Sequence, residues 1–287
     1  MSTIRAAVLA FLLLAWTLIL LPVQWLALRW PTAAGRRVAE AVPVLYHYGA
    51  ARLMGLEIRV VGDPSLARPT LFVSNHVSWL DIVVFGALLK AAFIAKREVG
   101  AWPGFGGLAR LSRTVFIDRQ RRRTADQRDI MAARLDAGDS LILFAEGTSS
   151  DGMRILPFKS AFFVLAERSS MGRPLPVQPV AIAYYRLNGL PVGRRLMPVF
   201  AWVGGENLLP HLWNYLSRGA AQVAVVFHPP VTIERFRSRK EMAAYCRNVI
   251  AQSVSDVNAG RRADLSGDAP APGHAARLAT GGETGHS

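Results

Sequence analysis

The chain has 287 residues, 51% of them hydrophobic, which suits one large domain or two small ones with a sizeable core. One cysteine excludes an internal disulfide, and the absence of zinc-spaced Cys/His groups and of Walker or Rossmann glycine strings leads us to expect no metal and no nucleotide motif of those types. The net charge of +14 indicates an anionic partner, but no recognised RNA- or DNA-binding motif is present, so we expect membrane lipids rather than nucleic acid.

The first element is an uncharged, apolar segment at residues 6–28, rich in Ala, Leu, Val, Ile and Trp. It is long enough to span a bilayer, which takes about 20 residues, and longer than the apolar core of a cleaved signal peptide. We therefore expect a retained anchor. Because Pro22 complicates one straight helix, a helical hairpin in one leaflet, with residues 38–54 as its second arm, stays open. Residues 1–54 are assigned to membrane anchoring.

The next elements bring a histidine and a carboxylate together. Residues 56–61 alternate and predict an edge or half-buried strand, whereas the apolar run at 70–74 predicts a buried one. A buried helix is expected from Ser78, which leaves His76 in the turn and Asp81 in the first helical turn. Asp81 could then accept one ring N–H of His76, leaving the other nitrogen to take a proton from a hydroxyl. The alternative reading is a helix cap before an apolar helix.

Three later apolar runs, at 114–117, 140–144 and 177–182, also end in polar or turn residues. Together with the run at 70–74 they predict one active-site edge of an α/β sheet. The glycine, threonine and serines after residue 144 predict an amide-rich turn suited to a ligand with oxygens. Within it, Glu146 either contacts the substrate or braces its own loop.

The remaining elements complete an α/β pattern. Strands are expected at 93–96, 197–203 and 222–227, and helices at 124–137, 160–168 and 240–257. The helix at 124–137 should turn Ile130, Met131 and Leu135 inward. The aromatic and glycine-rich loop at 102–107 favours contact with an acyl chain or the membrane. This alternation predicts a mostly parallel or mixed sheet flanked by helices over residues 55–258, followed by a disordered tail at 259–287.

Four segments resemble, in order and spacing, the sequence blocks of the glycerolipid acyltransferases, which include the lysophosphatidic acid acyltransferases. These segments are Asn75-His76 with Asp81, Phe116-Ile117-Asp118-Arg119, Phe144-Ala145-Glu146-Gly147-Thr148 and Val177-Gln178-Pro179-Val180. The resemblance implies transfer of a fatty acyl group from an acyl-carrier protein or coenzyme A thioester to a lysolipid hydroxyl, with no other cofactor. It implies His76 as general base, oriented by Asp81. The residues expected to contact substrate are Asn75, Asp118, Arg119, Glu146, Gly147, Thr148, Ser149, Lys159 and Pro179.

Two departures from the family pattern bear on the acceptor. The third block usually reads Phe-Pro-Glu-Gly-Thr-Arg, and here Ala145 replaces the proline and Ser149 the arginine. A serine cannot form the bidentate fork that an arginine makes with a phosphate. The string from Glu146 to Gly152 is similar to that of bacterial relatives that acylate lyso-ornithine lipid. We therefore favour lyso-ornithine lipid as the acceptor. Lysophosphatidate stays open, with Arg119, Arg154 or Lys159 supplying the charge.

Two rival functions remain. A lipid or thioester hydrolase could use the same His–Asp pair with water, but the chain lacks a Gly-x-Ser-x-Gly elbow. A non-catalytic scaffold could use only the basic surface. Cys246 lies in a helical pattern and is expected to be structural. We expect the protein in the inner membrane with its catalytic domain on the cytoplasmic side, where the acyl donors are.

Overall fold

The structure is a computed structural model that describes residues 2–102, 104–117, 124–167, 169–170, 172–203 and 207–265. Its α-helices are α1 (Ser2–Arg29), α2 (Ala33–Leu53), α3 (Leu80–Leu88), α4 (Phe105–Leu111), α5 (Thr124–Asp136), α6 (Leu208–Arg218) and α7 (Arg239–Asn258). Its strands are β1 (Leu56–Val61), β2 (Leu71–Ser74), β3 (Ala91–Lys96), β4 (Val115–Ile117), β5 (Ser140–Phe144), β6 (Ser169–Ser170), β7 (Arg173–Pro174), β8 (Val177–Leu187), β9 (Leu190–Pro191) and β10 (Ala221–Phe227). Short 3₁₀ helices include Ser160–Glu167, Met197–Val199 and Ala263–Leu265.

One mixed sheet organises the described part of the chain, in the order β1-β10-β8-β2-β5-β3-β4, with β9 paired to β8. The five strands β8, β2, β5, β3 and β4 are parallel neighbours, so their carboxyl ends meet at one edge. Beyond β8, strand β10 runs antiparallel to β8, and the edge strand β1 runs parallel to β10. This is the predicted mixed α/β sheet, and its carboxyl edge is where ligands bind in such folds.

Helices cover both faces of the sheet because successive strand residues point to opposite sides. In β2, Phe72 packs into a cluster with apolar residues of α2, α3 and α6, whereas Leu71 and Val73 pack towards the 3₁₀ helix at Ser160–Glu167 and α7. All three side chains are buried. Because these short strands are buried on both faces, their sequences are continuous apolar runs.

The first two helices form a packed pair. Trp16 Nε1 of α1 donates to the Tyr46 carbonyl of α2 at 3.1 Å. The buried Gln24 amide of α1 donates to the Ala39 carbonyl of α2 at 3.1 Å and to the Leu111 carbonyl of α4 at 2.7 Å. Pro22 lies inside α1 without ending the helix.

Most of the remaining surface of α1 is apolar and exposed. Its 28 residues, with a mean hydropathy of 2.6 over the most apolar window, are long and apolar enough to cross a membrane. This helix indicates membrane association.

Several sequence predictions need correction. Residues 197–203 do not form a strand, because Met197–Val199 closes a 3₁₀ turn that brings the Trp202 backbone N–H to the Val77 carbonyl at 3.0 Å. The 160–168 helix is a 3₁₀ helix. On α5, Leu135 is buried, but Ile130 is 52% exposed, because it lies off the face that packs on the sheet.

The helix α6 was not predicted, and the disordered tail was predicted to begin too early. Residues 259–265 are described, and Leu265 is buried against Val254 and Val257 of α7. This apolar contact packs the end of residues 259–265 against α7. Residues 266–287 lie outside the described part of the chain.

Candidate active site

His76 and Asp81 form a hydrogen-bonded pair at the carboxyl end of β2. The distance from His76 Nδ1 to Asp81 Oδ2 is 2.8 Å. The buried strand β2 delivers the histidine to the turn, and the first turn of α3 carries the aspartate. The His76 side chain keeps 18% of its surface exposed, whereas that of Asp81 has none. The imidazole therefore has an accessible side, and its orienting carboxylate is shielded from water.

The Asp81 carboxylate is held by four donors. Besides the imidazole, its Oδ2 accepts the backbone N–H groups of Val77 at 2.6 Å and Ser78 at 2.9 Å. Its Oδ1 accepts the Tyr184 hydroxyl at 2.7 Å. Burial, followed by the negative charge of Asp81, raises the pKa of Tyr184 well above its usual value, so the phenol stays protonated and donates.

This bonding pattern fixes the tautomer of His76. Because both Asp81 oxygens accept hydrogen bonds from other donors, the carboxylate acts as the acceptor towards the ring as well, so Nδ1 carries the proton and Nε2 has a free lone pair. The His76 ring stacks on Phe144 with centroids 4.0 Å apart, which restricts its rotation. The arrangement can remove a proton from a hydroxyl placed near Nε2.

Glu146 fixes the main chain of the histidine turn. Its Oε1 accepts the His76 backbone N–H at 2.8 Å, and its Oε2 accepts the Leu156 backbone N–H at 3.0 Å. The side chain is buried, and burial raises the pKa of Glu146 against the opposing effect of these two hydrogen bonds. Of the two roles open from the sequence, this geometry supports bracing of the loop, and contact of Glu146 with substrate stays a prediction.

Asn75 also positions the turn. Its side-chain oxygen accepts the Ile182 backbone N–H at 2.9 Å, and its amide donates to the Ile182 carbonyl at 3.0 Å. These two bonds pin the end of β2 to β8. The side chain is fully buried and both of its polar ends are occupied, so Asn75 positions the turn, and the substrate contact expected of it stays a prediction.

Pro179 is likewise buried, inside β8 and opposite Val73 of β2. Its ring offers no N–H donor and packs inside the sheet, and the substrate contact expected of Pro179 stays a prediction.

The turn after β5 lies beside the histidine turn, as the sequence predicts. The Ser150 backbone N–H donates to the His76 carbonyl at 2.8 Å. Gly147 adopts a left-handed conformation, with φ of 71°, that a side chain would strain. Thr148 is exposed, and the Ser149 hydroxyl donates to the Trp202 carbonyl. No guanidinium therefore stands at position 149, where the family pattern has one.

The other predicted substrate residues lie at different places. The Lys159 side chain is exposed, and its backbone N–H donates to the Ala145 carbonyl at the end of β5 at 2.9 Å. Asp118 and Arg119 lie outside the described residues. Within the part of the chain that the structure describes, no group of three or more His, Cys, Asp or Glu side chains could hold a metal ion. Burial raises the pKa of Cys246 to about 12, which makes it a poor nucleophile.

Sequence reasoning missed two contacts of the site. Tyr184 reaches Asp81 from β8, 103 residues further along the chain. Trp202 contacts both the histidine turn and Ser149. The signal for Tyr184 was a tyrosine just after the apolar run at 177–182, since a buried hydroxyl needs a partner.

Comparison with known proteins places the chain in a family. A profile named Acyltransferase matches residues 57–183. The lyso-ornithine lipid O-acyltransferase of Brucella abortus (strain 2308) is 43% identical over 264 residues, which make up 91% of this chain and 97% of that protein. The chain belongs to the acyltransferase family.

Other acyltransferases are similar over most of their length. The lyso-ornithine lipid O-acyltransferase of Rhizobium meliloti (strain 1021) is 39% identical, covering 94% of this chain and 92% of that one. A 1-acyl-sn-glycerol-3-phosphate acyltransferase of Neisseria gonorrhoeae is 35% identical over 62% of this chain and 66% of its own.

The crystal structure of the 1-acyl-sn-glycerophosphate acyltransferase PlsC from Thermotoga maritima has the same fold. The TM-score is 0.67 at 21% identity, covering 90% of this chain and 98% of that one. The predicted family, fold class and enzyme class are confirmed.

Proposed function

We propose that this acyltransferase moves a fatty acyl group from a thioester of acyl-carrier protein or coenzyme A to the hydroxyl of a lysolipid, with lyso-ornithine lipid as the acceptor. The observation that carries the chemistry is the His76–Asp81 pair, with Nδ1 tied to the buried carboxylate at 2.8 Å. The acceptor is supported by the two lyso-ornithine lipid O-acyltransferases that match over more than nine-tenths of this chain.

The reaction can be written with the residues of the site. His76 Nε2 takes the proton of the acceptor hydroxyl as its oxygen attacks the thioester carbonyl, and Asp81 stabilises the imidazolium. Backbone N–H groups of the turn after β5 are our candidates for holding the oxyanion, and each such donor is worth about 3 kcal/mol. The tetrahedral intermediate then collapses by breaking the carbon–sulfur bond, and the imidazolium returns the proton to the leaving thiolate. No covalent acyl-enzyme and no further cofactor are required.

The acceptor assignment also draws on position 149. With a serine bonded to the Trp202 carbonyl, this position offers no bidentate partner for a phosphate. Lysophosphatidate is the second candidate, because the Neisseria gonorrhoeae enzyme that acts on 1-acyl-sn-glycerol-3-phosphate is also similar. In that case the exposed Arg154 or Lys159 would supply the charge.

One assay separates these functions. Full-length enzyme in detergent is incubated with labelled acyl-carrier protein thioester, or acyl-coenzyme A, and either lyso-ornithine lipid or lysophosphatidate. We expect labelled ornithine lipid as the main product. Preferential labelling of phosphatidate would reject the acceptor assignment, and release of free fatty acid from either mixture would identify a hydrolase. No turnover with any pair would favour the non-catalytic scaffold.

We further propose that the enzyme lies in the inner membrane with its α/β domain on the cytoplasmic side. The apolar helix α1 supports membrane association, and the thioester donors are cytoplasmic. A green fluorescent protein fused after residue 287 should fluoresce in cells, since this protein matures in the cytoplasm. A periplasmic alkaline phosphatase reporter at the same position should be inactive, and the opposite pair of results would reverse the orientation.

A further inference from the structure

The outer side of α6 carries large apolar side chains that the core does not bury. Leu209 is 65% exposed and Trp213, one helical turn later, is 42% exposed. The inner side of the same helix packs Tyr215 and Leu216 into the core. Residues four apart share a helix face, so Leu209 and Trp213 form one apolar surface. An exposed leucine and tryptophan on one helix face are side chains suited to contact with a membrane interface.

This surface lies between the active site and the anchor helix. At the carboxyl end of α6, the Leu216 carbonyl accepts a hydrogen bond from the Arg5 guanidinium of α1 at 2.6 Å. On the other side, the chain just before α6 contacts the histidine turn, through the Trp202 N–H and the Val77 carbonyl. The next residue, Val203, is 42% exposed. The apolar side chains Leu209 and Trp213, which we call the α6 strip, therefore lie on a helix whose carboxyl end contacts α1.

The charge of this region favours an anionic lipid surface. Residues 186–218 contain four arginines and a single acidic residue, Glu206. Arg194, Arg195 and Arg218 are exposed. Each basic residue near an anionic membrane contributes about 1 kcal/mol of attraction, and a tryptophan suits the boundary between head groups and acyl chains. A second copy of the chain on the same surface would bring like charges together, because a two-fold contact repeats the same patch.

The inner side of α6 is bonded to the catalytic turn. Trp79, three residues after His76, donates its indole N–H to His211 Nδ1 at 3.0 Å. Since Nδ1 accepts, the proton of His211 lies on Nε2, which donates to the Ala201 carbonyl at 3.2 Å. Only the helix α6 therefore separates a membrane contact on its outer face from the turn that carries His76.

We propose that the α6 strip is a second membrane contact beside α1, lying at the head-group boundary of an anionic bilayer, so that a lipid acceptor reaches His76 without passing through water. This inference goes beyond the proposed function, because it holds for any lipid acceptor. It predicts that Trp213 is inserted into lipid when the full-length protein is in a membrane.

The test uses the full-length protein in vesicles of phosphatidylethanolamine and phosphatidylglycerol. Trp213→Cys is labelled with an environment-sensitive fluorophore. The native Cys246 is buried, and wild type treated with the same fluorophore checks that Cys246 does not react. The matched control is Leu66→Cys, because Leu66 is 89% exposed and lies before β2, at the end of that strand opposite His76. We expect the Trp213 label to be quenched by spin-labelled lipid and protected from iodide. The Leu66 label should show the reverse.

Two results would overturn the proposal. One is a Trp213 label that is as accessible to iodide as the Leu66 label. The other is protection that persists in detergent together with energy transfer between differently labelled chains, which would identify a second copy as the occupant.

A kinetic measurement adds an independent check with the double variant Leu209→Ser, Trp213→Gln. Its kcat/KM should fall about tenfold for acceptor embedded in vesicles and stay within about twofold for acceptor in detergent micelles. Equal losses with both forms of acceptor would indicate damage to the site and would count against the membrane contact. His76→Ala, inactive in both, separates a failure of the proposed chemistry from a failure of this inference.

Discussion

Replacing Tyr184 by phenylalanine removes one hydroxyl and leaves the rest of the side chain in place. The ring is buried and stacks on Phe200 with centroids 5.0 Å apart, and phenylalanine can keep that contact. The lost hydrogen bond is the 2.7 Å bond to Asp81 Oδ1. Hydrogen bonds to charged groups contribute about 1.5–3 kcal/mol, so we expect the free energy of unfolding to fall by about that amount.

The same change should alter catalysis in a way that simple destabilisation would not. If the whole hydrogen-bond energy were used in the transition state, kcat/KM would fall by about ten- to hundredfold. Because phenylalanine removes only the hydroxyl that holds Asp81 Oδ1, the imidazole should be held less firmly in its productive orientation, and the loss should appear in kcat more than in KM.

The assay measures kcat and KM for acyl transfer, combined with urea unfolding of the same preparation. Tyr185→Phe is the matched control, since the Tyr185 hydroxyl is buried and has no hydrogen-bond partner among the described residues. The control should leave kcat as it is in the wild type. An unchanged kcat and an unchanged unfolding midpoint for Tyr184→Phe would refute the role assigned to this hydroxyl.

Three further variants test other parts of the site. His76→Ala should lower kcat by roughly 10²–10⁴-fold or more while the circular dichroism spectrum stays native; normal turnover would reject the general base. Asn75→Ala should lower the free energy of unfolding by about 2 kcal/mol, because the Ile182 backbone loses two buried partners, and an unchanged urea midpoint would contradict that reasoning. Cys246→Ala should retain acyl transfer, and native wild type should resist N-ethylmaleimide, since burial raises the pKa of this thiol to about 12; rapid labelling would show that it is accessible.

The sequence was sufficient for the parts of the fold that local patterns determine. Short apolar runs ended at the correct sheet edge, because a strand that is buried on both faces must be apolar throughout. The spacing of His76 and Asp81 was informative because a turn followed by the first turn of a helix returns the chain on itself within a few residues. These are contacts between near neighbours, which can be argued from residue order alone.

Other features depended on contacts that are distant in the sequence. The apolar run at 197–203 has the length and composition of a strand, yet Pro198 and the contact of Trp202 with the histidine turn make it a turn and a loop. The helix α6 contains Pro210 and has only 11 residues, so its pattern was too short to read. The role of Glu146 could not be decided, because the two backbone N–H groups it accepts come from residues 70 positions before it and 10 after it.

These distant contacts all converge on the turn that carries the base. Asn75 ties it to β8, Glu146 ties it to the turn after β5, and Trp79 ties it to α6. A thioester is already activated, so a proposed base of this kind gains most from being held in a single orientation before substrate arrives. On this argument the loss of any one tie should misplace Nε2, and the cost should appear in kcat more than in KM. A tie whose removal raised KM alone would instead belong to substrate binding.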